Sequence, residues 1–155
     1  MGERTGLAWV CFDFDDHRVY EEAILGPSML SPQQAEAAAV LHALRWAVHS
    51  GINHLLLQTD CLVLLLLLHH NAQESDWCLQ SILADILSLC KSFDHVVLQK
   101  VDRDVVYAAH QLATDILEQA SPTHSKHGIS HTVGVVAAVT LEVGHPNLRS
   151  RRCKS

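Results

Sequence analysis

The chain has 155 residues, 48% of them hydrophobic and 18% charged, with a formal net charge of -6. This length suits one domain with a buried core, and the composition excludes a disordered chain. The acidic balance excludes nucleic-acid binding driven by bulk charge, and the longest apolar run, Cys61 to Leu68, falls far short of the ~18–20 residues that cross a bilayer.

In chain order, LAWVCFDF at residues 7–14 is rich in β-formers, DDHR is a polar turn, and VYEEAIL reads as the returning strand of a hairpin. A helix begins at Ser31, which suits the N-cap, with Pro32 at the first helical position and Gln34 completing a capping-box pattern. Apolar residues Ala37, Val40, Leu41, Leu44, Ala47 and Val48 keep helical spacing until Gly51 ends the segment. INHLLLQT is short enough to be a buried strand. After Asp60 comes a brief helix, Cys61 to His70, then the polar turn NAQES and a longer helix from Asp76 to Phe93. HVVLQKV reads as another strand, and DVVYAAHQLATDILEQA as a closing helix.

At Ser121 the composition shifts. SPTHSKHGISH is linker-like, HTVGVVAAVTLEVG is β-prone and apolar, and the tail LRSRRCKS is basic. The order β-β-α-β-α-α-β-α predicts an α/β domain over residues 1–120, followed by a linker and tail over 121–155. The scattered cysteines, odd in number and without a CxxC pair, predict reduced thiols. With neither a signal peptide nor a spanning segment, the sequence predicts an intracellular protein, nuclear or cytoplasmic.

Two carboxylates sit where solvated ones are not expected. Glu36 lies on the apolar side of its helix, and Asp60 ends an apolar strand. Each has a structural role open to it: Asp60 as N-cap of the next helix, Glu36 as a carboxylate complementing the helix dipole. On adjacent elements, they also form the pair of hard oxygen donors that a divalent cation takes.

SPQQAEAAAVLHALRWAVHSGINHLLLQTDC resembles the ribonuclease H type 1 domains found in plants and related to retroelement reverse transcriptases. The resemblance spans about residues 5–119, including the hairpin TGLAWVCFDFDDHRV and the closing VDRDVVYAAHQLA. It implies a ribonuclease H-like three-layer fold with a mixed central sheet flanked by helices. It also implies endonucleolytic cleavage of the RNA strand of RNA/DNA hybrids with Mg²⁺, or Mn²⁺, held by four carboxylates. Glu36 and Asp60 match two of those metal ligands. His110 stands at the position of the carboxylate on the final helix, and Asp115 lies on a different face of that helix.

The first strand implied by the resemblance, central in the sheet and bearing an aspartate, has no counterpart here, because only MGERT precedes the hairpin. Its absence would leave backbone groups of two neighbouring strands unpaired. Three outcomes answer this: a shortened product, a sheet that closes on itself, or a gap covered by HTVGVVAAVTLEVG. With two of four carboxylates absent or replaced, the expectation is weak metal binding and impaired hydrolysis. The alternative is a catalytically inactive module that binds nucleic acid or protein. The leucines of residues 62–68 surround their helix on nearly every side, which predicts an exposed apolar surface for self-association or a protein partner.

Overall fold

The computed structural model describes residues 4–29, 31–70 and 76–120, together with the backbone of 133–140. Strands β1 (Thr5–Phe12) and β2 (Arg18–Gly26) form the hairpin. Asp13 closes its turn by accepting the backbone N–H groups of Asp15 and His17, each at 2.9 Å. Helix α1 (Pro32–His49) starts at the predicted cap, where the Gln34 N–H donates to Ser31 Oγ at 3.2 Å. The Gln34 side chain donates to Asp76, the N-cap of α3 (Trp77–Cys90), and so ties the two helix starts together. Gly51, at φ +73, supplies the left-handed residue that turns the chain out of α1.

Strand β3 (His54–Thr59), helix α2 (Leu62–His70) and strand β4 (His95–Lys100) follow, with β4 parallel to β3. A 3-10 turn at Arg103–Val106 leads into α4 (Tyr107–Ala120), so Val106 belongs to the turn and not to the helix. The last strand, β5 (Val133–Thr140), comes from the apolar run beyond the linker-like segment. The sheet order is β2-β1-β5-β3-β4.

β5 therefore lies at the centre of the sheet and joins its two halves. It runs parallel to β1, with Cys11 opposite Ala138, and antiparallel to β3, with Leu57 opposite the same residue. This is the third of the outcomes set out above: the apolar run covers the gap. A strand entering β1 through a short connection would have to run antiparallel to it, since adjacent parallel strands need a long crossover. The central position is thus filled from the other end of the chain and in the opposite direction.

Alternation along β1 divides the interior. Leu7, Trp9 and Cys11 join the larger core with α1, α2, α3 and β3, whereas Ala8 and Val10 meet Val106, Ala109 and Ala113 on the opposite face. The result is three layers, with α4 alone on one side. Burial pushes the Cys11 thiol up to about 12, helped by the charge of Asp13, and it is a core group. In α2 only Leu64 and Leu68 are buried, while Leu62, Val63 and Leu66 are about half exposed. Next to them, Leu65, Leu87, Cys90 and Val96 to Leu98 line an open cavity of about 620 Å³. No helix among the described residues is long and apolar enough to cross a membrane.

Candidate metal and nucleic-acid site

Glu36 is buried in α1, on a stretch that is closed off from Gln34 through Leu41. It lies past the first turn, where no acidic residue occurs, so the helix dipole accounts for little of its placement. Asp60 follows directly on β3, at the carboxyl end of the strand.

Asp60 does not act as the predicted helix cap. The Cys61 N–H donates to Thr59 Oγ1 at 3.1 Å, and α2 begins only at Leu62, two residues past Asp60. The Asp60 carboxylate is left to meet Arg103 instead, whose Nε donates to Oδ2 at 3.3 Å.

Burial pushes the Cys61 thiol above the usual thiol range, the amides of Leu64 and Val63 oppose the rise, and the charges of Glu36 and Asp60 add to it. Glu36 and Asp60 sit on neighbouring elements, since α1 packs on both β3 and α2.

His110 is half-buried near the start of α4, and its carbonyl accepts from Thr114 Oγ1 at 3.0 Å. Glu36, Asp60 and His110 are not gathered into a tight trio. Among the described residues, the group of three whose ligand atoms lie within 4.8 Å of one another is Asp13, Asp15 and His17, in the hairpin turn. There Asp13 is already engaged with backbone amides. The central strand brings no carboxylate either, because VGVVAAVT contains none. The basic tail lies outside the described residues.

The donor set decides what could bind. Two carboxylates, one of them buried, fit a single Mg²⁺ or Mn²⁺, since Mg²⁺ is commonly held through one or two carboxylates and water. They do not make up a four-carboxylate set for two ions.

A family model described as reverse transcriptase-like matches residues 2–116. The chain belongs to that family of ribonuclease H-like domains. The ribonuclease H-like fold is also seen in solved structures. RNase H1 from the halophilic archaeon Halobacterium salinarum is 23% identical, with a TM-score of 0.71, over 75% of this chain and 87% of that one. The N-terminal RNase H domain of a Mycobacterium tuberculosis protein, solved as a fusion with maltose-binding protein, is 15% identical, with a TM-score of 0.62. That match covers 79% of this chain and 98% of the other. No curated protein matches the chain.

Two residues of this candidate site were not singled out from sequence. Arg103 looked like one of several dispersed basic residues, yet the parallel pairing of β3 with β4 sets the residues after both strands side by side. The Val101 N–H donating to the Thr59 carbonyl at 2.9 Å extends that pairing to the site. Cys61 is chemically unremarkable in sequence. Its N–H donates to Thr59 Oγ1, and the Asp60 side chain meets Arg103.

Proposed function

We propose that this ribonuclease H-like domain binds nucleic acid, RNA/DNA hybrids in particular, and that Glu36 and Asp60 together hold one divalent cation, Mg²⁺ or Mn²⁺. The observation that carries the reading is a buried carboxylate on α1 and a second directly after β3, on elements that pack against each other. A bound cation would supply positive charge at the scissile phosphate. Glu36 and Asp60 would fix its place, and His110 would offer a neutral imidazole where the resemblance implies a carboxylate. Imidazole adds no negative charge and is a poor partner for Mg²⁺. Hydrolysis of the RNA strand is accordingly slow in this reading. A plant retroelement origin is part of the same proposal and rests on the motif resemblance.

The test pairs Mn²⁺ titration with cleavage of a fluorescent RNA/DNA hybrid. Glu36→Gln and Asp60→Asn should each weaken Mn²⁺ binding by at least about tenfold, and residual cleavage should fall with it. Rapid turnover by the unaltered protein, lost in both variants, would overturn the impaired reading. Equal Mn²⁺ binding in all three proteins would remove the metal site.

A second reading is supported by the half-exposed Leu62, Val63 and Leu66 beside the α2–β4 cavity. Such a patch suits self-association or a protein partner. Light scattering should then show concentration-dependent association that Leu66→Glu abolishes. A protein that stays monomeric at high concentration counts against self-association.

A further inference from the structure

We infer that Arg103, held on Asp60 through its Nε, is a phosphate-binding residue that lets the domain grip a nucleic-acid backbone without a metal ion. The inference deepens the nucleic-acid reading above and rests on it.

The geometry uses only one edge of the guanidinium. Nε meets Asp60 Oδ2 at 3.3 Å, and no other partner of Arg103 occurs among the described residues. The Arg103 side chain is 74% exposed while Asp60 is 17% exposed, so the cation stands outward from an anchored carboxylate. The two terminal nitrogens keep their donors for solvent. A guanidinium presents those donors as a planar fork that matches two phosphate oxygens. Asp60 restrains the side chain, which reduces the ordering cost of that contact.

The charges around the pair are net acidic even with Arg103, so a phosphate contact there depends on the guanidinium itself. Asp102 and Asp104 flank it and are exposed, with Lys100 Nζ lying 3.8 Å from Asp102. Without Arg103, the ground beyond β3 and β4 would hold three carboxylates, Asp60, Asp102 and Asp104, against one ammonium. A phosphodiester would meet repulsion there. The overall charge of -6 gives no bulk attraction to compensate.

The location also fits the purpose. Arg103 begins the turn that leads into α4 and approaches the carboxylate that ends β3. A backbone phosphate on its free edge would lie beside the Glu36–Asp60 pair, where the proposed reaction occurs.

The experiment measures binding of a fluorescent RNA/DNA hybrid by anisotropy in EDTA over a series of salt concentrations, so that neither metal nor cleavage contributes. Arg103→Ala should weaken binding about tenfold, the scale of a charge-assisted contact, and lower the magnitude of the log–log salt slope by about 0.9. Arg103→Lys should keep the slope and lose part of the affinity, because the charge remains while the fork is gone. Arg18→Ala, which removes an exposed arginine paired with Glu21 in the hairpin, should leave the slope unchanged. A slope that does not move in Arg103→Ala overturns the assignment, even if affinity falls. Absence of any binding by the unaltered protein in EDTA overturns it as well, and cleavage or binding restored by Mn²⁺ would then show that the nucleic-acid reading survives without it.

Discussion

Ala138→Pro should cost at least about 3 kcal/mol of stability. Ala138 stands opposite Cys11 on one side and Leu57 on the other, so its backbone belongs to a strand paired along both edges. Proline has no N–H to give and its ring disrupts the neighbouring pairing, which is why it occurs in sheets at edges and bulges. The lost donor also orphans a buried carbonyl. For a chain of this size the melting temperature should fall by about 6–12 °C. Urea unfolding followed by far-ultraviolet circular dichroism gives the free energy directly. A change below about 1 kcal/mol would mean that the strand does not hold the centre of the sheet.

The effect reaches beyond local stability, because β5 is what makes the sheet one object. The β1–β2 hairpin and the β3–β4 pair share no strand contact with each other. α1 and α4 pack on opposite faces, and both rest on β5 as well as on β1. Glu36 is carried by α1 and Asp60 by the end of β3, so the relative placement of the two carboxylates depends on the strand between their supports. Ala138→Pro should therefore weaken Mn²⁺ binding in whatever fraction remains folded.

Much of this was legible from local pattern. The cap at Ser31 acts on nearby backbone, and such chemistry is written within a few residues. Alternating burial in β3 follows from period two, and the burial of Glu36 follows from its place in the helical stripe. The β-prone character of VGVVAAVT was equally visible, but its partners and direction were not. Those depend on which edges the rest of the chain leaves open, and edges on β1 and β3 come from segments more than seventy residues away. The role of Asp60 was undecidable for a similar reason. The Cys61 N–H contact with Thr59 is a matter of side-chain placement within one turn, and pairing with Arg103 is a matter of sheet register. The leucines of α2 divide as their all-round placement implied: Leu64 and Leu68 are buried, Leu67 packs against the core, and Leu62 and Leu66 stay exposed.

Gly6 is the second position where one substitution should have a large effect. A methyl group added there would lie 2.4 Å from the carbonyl oxygen of Ala113 and 3.0 Å from the Leu117 side chain. Real carbon atoms do not approach a carbonyl so closely, so α4 must lift away from β1 or the strand must bend. The glycine is thus present for close approach of a helix backbone to a strand, not for a special dihedral. Gly6→Ala should cost about 3 kcal/mol, at the upper end for overpacking, because the obstacle is main chain. Leu117→Ala placed in the same protein separates the two contacts. It removes the side chain that could move but leaves the Ala113 carbonyl where it is, so it should not rescue Gly6→Ala. Recovery of most of the lost stability by Leu117→Ala would show that side-chain crowding governs the position. Since α4 continues from the turn that holds Arg103, a lifted helix should also loosen the Arg103–Asp60 pair, and hybrid binding in EDTA should weaken along with stability.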